Sequence, residues 1–288
     1  RPLRARAPVG RPDVEDLLPV ADVLRQLADA FFALPPAEKG AIERTAENPW
    51  GYYDRELTKN VRDWKEIFDV GPADGGARPQ WPASPPGFRP AMEAWFEACS
   101  TLARSLVGAI ATNLGATPET LTACFDDATS FLRLNHYPPC DDPAPADSPT
   151  VPTAGRLGIG HHTDAGAVTV LLQDERPGLQ VERDGTWHLV PPVADALTVN
   201  LGDVVQVWSN DRYRAPSHRV LADRERPRTS APFFLNPSSS TTYAPLEGAC
   251  RDAPPRYRPI SWREFRAARA AGDYADVGEE IQISHFRR

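Results

Sequence analysis

The chain predicts a mainly β fold, an antiparallel sandwich or barrel with helices at its flanks. Three observations carry this. From about residue 129 the apolar residues recur with period two, in many short runs broken by turn residues. Before that point their spacing is helical, and over 261–271 it becomes helical again.

Taken in order, residues 1–16 form a short approach to a helix over 17–34. Val20, Val23, Leu24, Leu27, Ala28 and Phe31 make its apolar stripe, and Pro35-Pro36 stops it. Residues 51–66, GYYDRELTKNVRDWKE, mix aromatics with charges and suit either a helix or strand surface or a cap on a pocket. Residues 71–90 are too rich in Pro and Gly for regular structure. A long helix follows over 90–114, with Trp95, Cys99, Leu102, Leu106 and Ile110 on one stripe and Gly115 as the residue just past its end. Thr117-Pro118 reads as an N-cap followed by proline at the first helical position. Strands are expected at 129–137, 158–161, 167–173, 179–183, 186–190, 197–200, 204–208, 217–222 and 230–235, with a Pro-rich loop over 141–157. This divides the chain into an N-terminal helical region (1–125), a β core (126–240) and a C-terminal extension packed on that core (241–288).

Composition sets bounds. With 288 residues the chain buries a sizeable core. A net charge of −7 gives no nucleic-acid footprint, and no apolar run reaches the roughly 18 residues of a membrane span. Cys99, Cys124, Cys140 and Cys250 have neither metal nor disulfide spacing and read as free thiols of a reducing cytoplasm. Three lysines (Lys39, Lys59, Lys65) among 32 basic residues, with abundant Ala and Pro, hint at a GC-rich bacterial genome. Oligomeric state is not specified.

The chemistry concentrates in GIGHHTDAGAVTVLLQD, residues 158–174. In an extended strand the side chains at i and i+2 share a face, so His162 and Asp164 can ligate one metal. His218, in SHRV, supplies a third ligand from another strand. Two histidines and one carboxylate with open coordination positions suit non-haem Fe(II) and leave room for a co-substrate and O₂. His161 faces the opposite way from His162. His136, His188 and His285 lack a carboxylate two positions on and read as packed or solvated. Arg228 and Ser230 form another i, i+2 pair, a guanidinium fork and a hydroxyl suited to one end of a dicarboxylate. Arg224 and Arg226 read as surface residues. Arg133, Asn135 and Tyr137 alternate along FLRLNHYP and share one face. Phe234 suits pocket or core equally, and Arg212 and Tyr213 suit surface or site.

With this ordered set, and with NHYPPC (135–140), LLQD (171–174), NLGD (200–203) and RTSAPFFLNP (228–237), the sequence resembles the 2-oxoglutarate and Fe(II)-dependent dioxygenases. Within them it resembles the branch of isopenicillin N synthase and the plant flavonoid and gibberellin oxygenases. The resemblance implies a double-stranded β-helix, or jelly roll. It implies Fe(II) on His162, Asp164 and His218. It places the far carboxylate of 2-oxoglutarate on Arg228 and Ser230, with Asn135 and Tyr137 beside it, and Tyr52, Tyr53, Lys59 and Trp64 at the substrate mouth. The reaction implied is hydroxylation, desaturation or cyclisation of a small molecule, with release of succinate and CO₂. Two alternatives share the scaffold. One is a 2-oxoglutarate-independent iron oxidase, and the other an inactive ligand-binding protein.

Overall fold

The computed structural model describes residues 14–73, 76–126, 128–272 and 274–288. The expected approach over residues 1–13 lies outside them. Helices α1 (Val14–Phe32), α2 (Pro36–Gly40), α3 (Phe88–Asn113) and α4 (Pro118–Thr122) precede the β core, and α5 (Asp203–Trp208) and α6 (Trp262–Ala271) follow later. Pro36 opens α2 at a position where its missing N–H costs nothing. Gly115, at φ +78°, follows the α3 cap in the left-handed region that glycine adopts freely.

Two antiparallel sheets face each other. The larger runs β1 (Gly51–Tyr53), β4 (Glu66–Val70), β5 (Phe131–Tyr137), β12 (Arg228–Leu235), β7 (Val168–Gln173) and β10 (Thr198–Leu201), in that spatial order. The smaller runs β6 (Leu157–His162), β11 (His218–Leu221), β8 (Leu179–Arg183) and β9 (Thr186–Leu189). This is a jelly roll. A hairpin, β2 (Leu57–Thr58) and β3 (Val61–Arg62), turns through Lys59 and Asn60, both at positive φ, the conformation of a tight two-residue hairpin turn. A short pair, β13 (Thr242–Tyr243) and β14 (Ile260–Ser261), leads into α6. The Ser261 side chain caps α6 by accepting from the Glu264 N–H.

Strand parity divides the larger sheet into a packed face and an open face. Leu132 and Leu134 of β5, Val168, Val170 and Leu172 of β7, and Ala231, Phe233 and Leu235 of β12 are buried in the core. That core also holds Phe31 of α1 and Phe88, Trp95 and Phe96 of α3. The alternate residues, among them Asn135, Thr169 and Ser230, line a cavity on the other face. Core packing therefore fixes which side chains reach the cavity.

Two expectations need correction. Residues 204–208 form α5, not a strand. Val204, Val205, Val207 and Trp208 are all buried, and a short apolar run buried on every side carries no period to read. The helical expectation over 1–125 also omits β1–β4, two of which join the larger sheet. The buried stripe of α3 runs through Met92, Trp95, Cys99, Ala103, Val107 and Ile110, while Leu102 and Leu106 sit half-buried at its margin.

Candidate active site

β6 ends at His162, β11 begins at His218, and the two are direct cross-strand partners. Asp164 lies two residues beyond β6 and is buried. His162 Nε2 and His218 Nε2 stand 3.8 and 3.7 Å from Asp164 Oδ1. These separations are too long for a hydrogen bond. They lie within what two bonds of about 2.1 Å to one shared metal can span. The remaining atoms of the three residues are held from behind. His162 Nδ1 lies 2.8 Å from the Gly160 carbonyl and His218 Nδ1 3.1 Å from the Pro216 carbonyl. A carbonyl only accepts, so each Nδ1 carries the proton and each Nε2 keeps a lone pair facing the others. Asp164 Oδ2 accepts from Thr169 Oγ1 at 2.5 Å and Asn200 Nδ2 at 2.7 Å, leaving Oδ1 free.

The electrostatics agree with this. Burial, and then the facing His218, hold His162 below its ordinary pKa. Burial would raise Asp164, but His218, His162, Asn200 and Thr169 outweigh it and keep the carboxylate ionised. Among the described residues these three form the group able to hold a metal ion.

Arg228 stands across from Tyr137, and Ser230 across from Asn135, in the β12–β5 register. Arg228 is 4% exposed. Its Nη2 donates to Gln173 Oε1 at 3.0 Å, its Nε to the Arg176 carbonyl at 3.2 Å, and its guanidinium lies 5.2 Å from the Tyr137 ring centre. Arg228 Nη1 is buried with no partner, and so is Asn135 Oδ1. Asn135 Nδ2 donates to Ser230 Oγ at 3.4 Å. A buried guanidinium N–H left unpaired is costly, and a carboxylate is the group that satisfies it.

One cavity of about 430 Å³ joins the two places, lined by all seven expected site residues: Asn135, Tyr137, His162, Asp164, His218, Arg228 and Ser230. Its size suits a small molecule. Ile159, Leu179, Val181, Val190, Val199 and Phe234 supply apolar wall. Phe234 also stacks on Phe131 at 4.6 Å, so it serves the pocket and its own packing together. The β2–β3 hairpin is tied to the metal strand, because Asp63 Oδ1 accepts from the Gly160 N–H at 3.0 Å and Oδ2 from Thr58 Oγ1 at 2.8 Å.

Several expected residues are placed elsewhere. Tyr52 donates to Glu66 at 2.7 Å, Tyr53 packs on Arg44 and Tyr274, and Trp64 donates to the Pro138 carbonyl at 3.1 Å. None of the three borders the cavity. Arg133 does border it, but its guanidinium is engaged by Glu56 and Asp69. Arg212 donates to the Gly248 carbonyl, Tyr213 packs on the core, and His136 stacks on Phe32. Sequence reasoning missed the roles of Thr169, Gln173 and Asn200. Gln173 and Asn200 lie within runs singled out for resemblance and Thr169 within the 158–174 run that holds His162 and Asp164, but none carries a spacing rule that points to it.

A jelly roll with two imidazoles and a carboxylate at one end of a cavity, and a buried arginine at the other, is the arrangement of a non-haem iron oxygenase. Comparison with known proteins agrees. Residues 128–237 match the model of the 2OG-Fe(II) oxygenase superfamily, and residues 18–91 match that of the non-haem dioxygenase in morphine synthesis N-terminal region. The chain is 31% identical to 2-oxoglutarate-dependent dioxygenase 11 of Oryza sativa subsp. japonica, over 85% of this chain and 67% of that protein. It is 32% identical to naringenin,2-oxoglutarate 3-dioxygenase of Matthiola incana, over 93% and 72%. Among solved structures, JOX2 in complex with 2OG, Fe and JA superposes with a TM-score of 0.78 at 27% identity, covering 95% of this chain and 78% of that one. A rice dioxygenase for auxin oxidation gives 0.71 at 26%, covering 97% and 87%. The chain belongs to the 2OG-Fe(II) oxygenase superfamily, as a 2-oxoglutarate-dependent dioxygenase that uses Fe(II), 2-oxoglutarate and O₂.

Proposed function

We propose that His162, Asp164 and His218 hold the Fe(II), and that Arg228 and Ser230 take the far carboxylate of 2-oxoglutarate, with Asn135 and Tyr137 beside it. The carrying observation is the unpaired, buried Arg228 Nη1 at the opposite end of the cavity from the histidines and Asp164. Such an atom is expected where a carboxylate completes the site. A 2-oxoglutarate-independent oxidase would present the same arginine to a substrate carboxylate, so the 2-oxoglutarate-dependent relatives, rather than this atom, favour this reading over it. When bound, the iron supplies the O₂ chemistry, coupled to conversion of 2-oxoglutarate into succinate and CO₂.

The chain's own residues position and exclude. The Gly160 and Pro216 carbonyls orient the two imidazoles, and Thr169 and Asn200 fix Asp164 so that a single carboxylate oxygen faces inward. Gln173 and the Arg176 carbonyl aim the Arg228 fork. The apolar wall keeps water from the reacting centre. We assign the reaction as hydroxylation, desaturation or ring closure of a small molecule, a tailoring step on a natural product or amino-acid derivative. The four free cysteines support a reducing, cytoplasmic setting, and no helix among the described residues is long and apolar enough to cross a membrane. The test is succinate release by the Fe(II)-loaded protein. Release that requires 2-oxoglutarate and O₂ is expected. Its absence, with iron bound, overturns the reading.

A further inference from the structure

The charged side chains around the cavity are nearly all accounted for. Glu56, Lys65 and Arg133 are locked in ion pairs with one another and with Asp63 and Asp69. Arg269 donates to the Thr163 carbonyl at 2.9 Å, the Gln282 side chain at 3.2 Å and the Ile281 carbonyl at 3.4 Å. Glu280 accepts from Gln282 at 3.0 Å. The exception is Arg266. It lies one turn before Arg269 on α6, borders the cavity and is half-buried, and it has no hydrogen bond or ion pair among the described residues. Because Arg269 grips the carbonyl next to Asp164, this cation sits on the metal-ligand side of the cavity, on a different element from Arg228.

We infer that the oxidised substrate is an amphipathic monocarboxylate and that Arg266 anchors its carboxylate. This rests on the dioxygenase reading and deepens it. A chain of net charge −7 repels anions at long range, so admitting one requires local positive charge at the cavity. Ile159, Leu179, Val181, Val190 and Val199 offer an apolar body its contact surface. The planar guanidinium fork matches a carboxylate in a way that a neutral ester or amide cannot reproduce. The substrate's acid group then lies on the rim formed by α6, and the carbon to be oxidised reaches inward toward the histidines.

The experiment measures binding to the anaerobic Fe(II) and 2-oxoglutarate holoenzyme by ligand-observed NMR. The probes are arylacetic and medium-chain alkanoic acids, each with its methyl ester and primary amide. Acids are expected to bind, with esters and amides weaker by about tenfold or more, the scale of one charge-assisted interaction. R266Q, checked for a native melting temperature, removes that preference and R266K retains it. R263Q, an equal charge change at an exposed position of the same helix, leaves acid binding unaltered. Binding of no acid, ester binding equal to the acid, or a preference surviving in R266Q overturns the proposal. Succinate release without added substrate tests the dioxygenase reading separately, so the two failures are told apart.

Discussion

The ion pairs around Glu56 and the ligand corner around Asp164 are both buried and both border the cavity, but they differ in how completely their polar atoms are paired. Glu56 accepts from Arg44, Arg133 and Lys65 at 2.7–3.0 Å, and Asp69 accepts from Arg44 and Arg133 at 2.7–2.8 Å. Three cations face three carboxylates, counting Asp63. Burial would raise Glu56, yet Arg133, Lys65 and Arg44 drive it well below its ordinary value. In the same way Glu56 and Asp63 hold Lys65 up against its own desolvation. The polar atoms facing the rest of the cavity, at the ligand corner and at the Arg228 end, are less completely paired. Two imidazole Nε2 atoms and one carboxylate oxygen face each other beyond hydrogen-bond distance, and Arg228 Nη1 and Asn135 Oδ1 have no partner. Buried polar atoms are normally paired. The network around Glu56 leaves Arg44 Nε without a partner but pairs its carboxylates, and reads as framework. The cavity-lining orphans Arg228 Nη1 and Asn135 Oδ1 read instead as the outline of something bound.

The largest effect should come from opening the ligand corner. His162→Ala or His218→Ala should lose stoichiometric iron and with it turnover, since two remaining ligands hold Fe(II) poorly. Metal analysis of the purified variants decides it, and iron retained at full occupancy would remove that residue from the ligand set. Breaking the framework should instead cost stability. Glu56→Gln strips a buried charge from its three partners and is expected to destabilise by about 3–5 kcal/mol in denaturant unfolding. The pH dependence has a definite sign. Glu56 is depressed in the folded state, so its contribution is complete above its unfolded value near 4.5 and is lost as pH falls through the acid range. Glu56→Gln should flatten that loss, and an unchanged acid slope would contradict the assignment.

A smaller effect belongs to the co-substrate end. Arg228→Ala should keep its iron and weaken 2-oxoglutarate binding about tenfold or more, on a scale of roughly 1.5–3 kcal/mol per charge-assisted hydrogen bond. Titration calorimetry on the metal-loaded protein measures this, with exposed Arg226→Ala as the partner that should change little. Equal behaviour of the two variants would erase the distinction between a paired surface and an orphaned interior. The smallest effect is expected at His161→Ala. That side chain borders no part of the cavity, and iron content should be unaltered.

The ligand corner was more legible in the sequence than the framework beside it. His162 with Asp164 and Arg228 with Ser230 are legible as i, i+2 pairs once His218 and the surrounding runs complete the set, and Asn135 and Tyr137 are legible through the resemblance that NHYPPC carries. Glu56, Lys65 and Asp69 carry no such rule. Their partners Arg44 and Arg133 lie 12 and 77 positions from Glu56, and a charge at that range reads as surface until the sheet brings it inward. For the same reason Thr169 and Asn200 went unassigned, although they hold Asp164, as did Gln173, which holds Arg228. α5 escaped because burial on every side leaves an apolar hexapeptide without a period. The strands of 51–70 escaped because two of them span just two residues each.

The direct pairing of His162 with His218 has a consequence for how this enzyme tolerates change. A shift of β6 by one residue would turn His162 to the far face and bring His161 toward the cavity, one atom set exchanged for another of the same type. Strand register and catalytic competence are therefore a single variable, and iron loading reports on correct pairing as directly as any spectroscopic probe of folding. Insertions in the connections between β6 and β11, such as those flanking β9, move neither histidine relative to the other. A single residue added within Leu157–His162 or His218–Leu221 should leave a folded jelly roll that cannot assemble its metal.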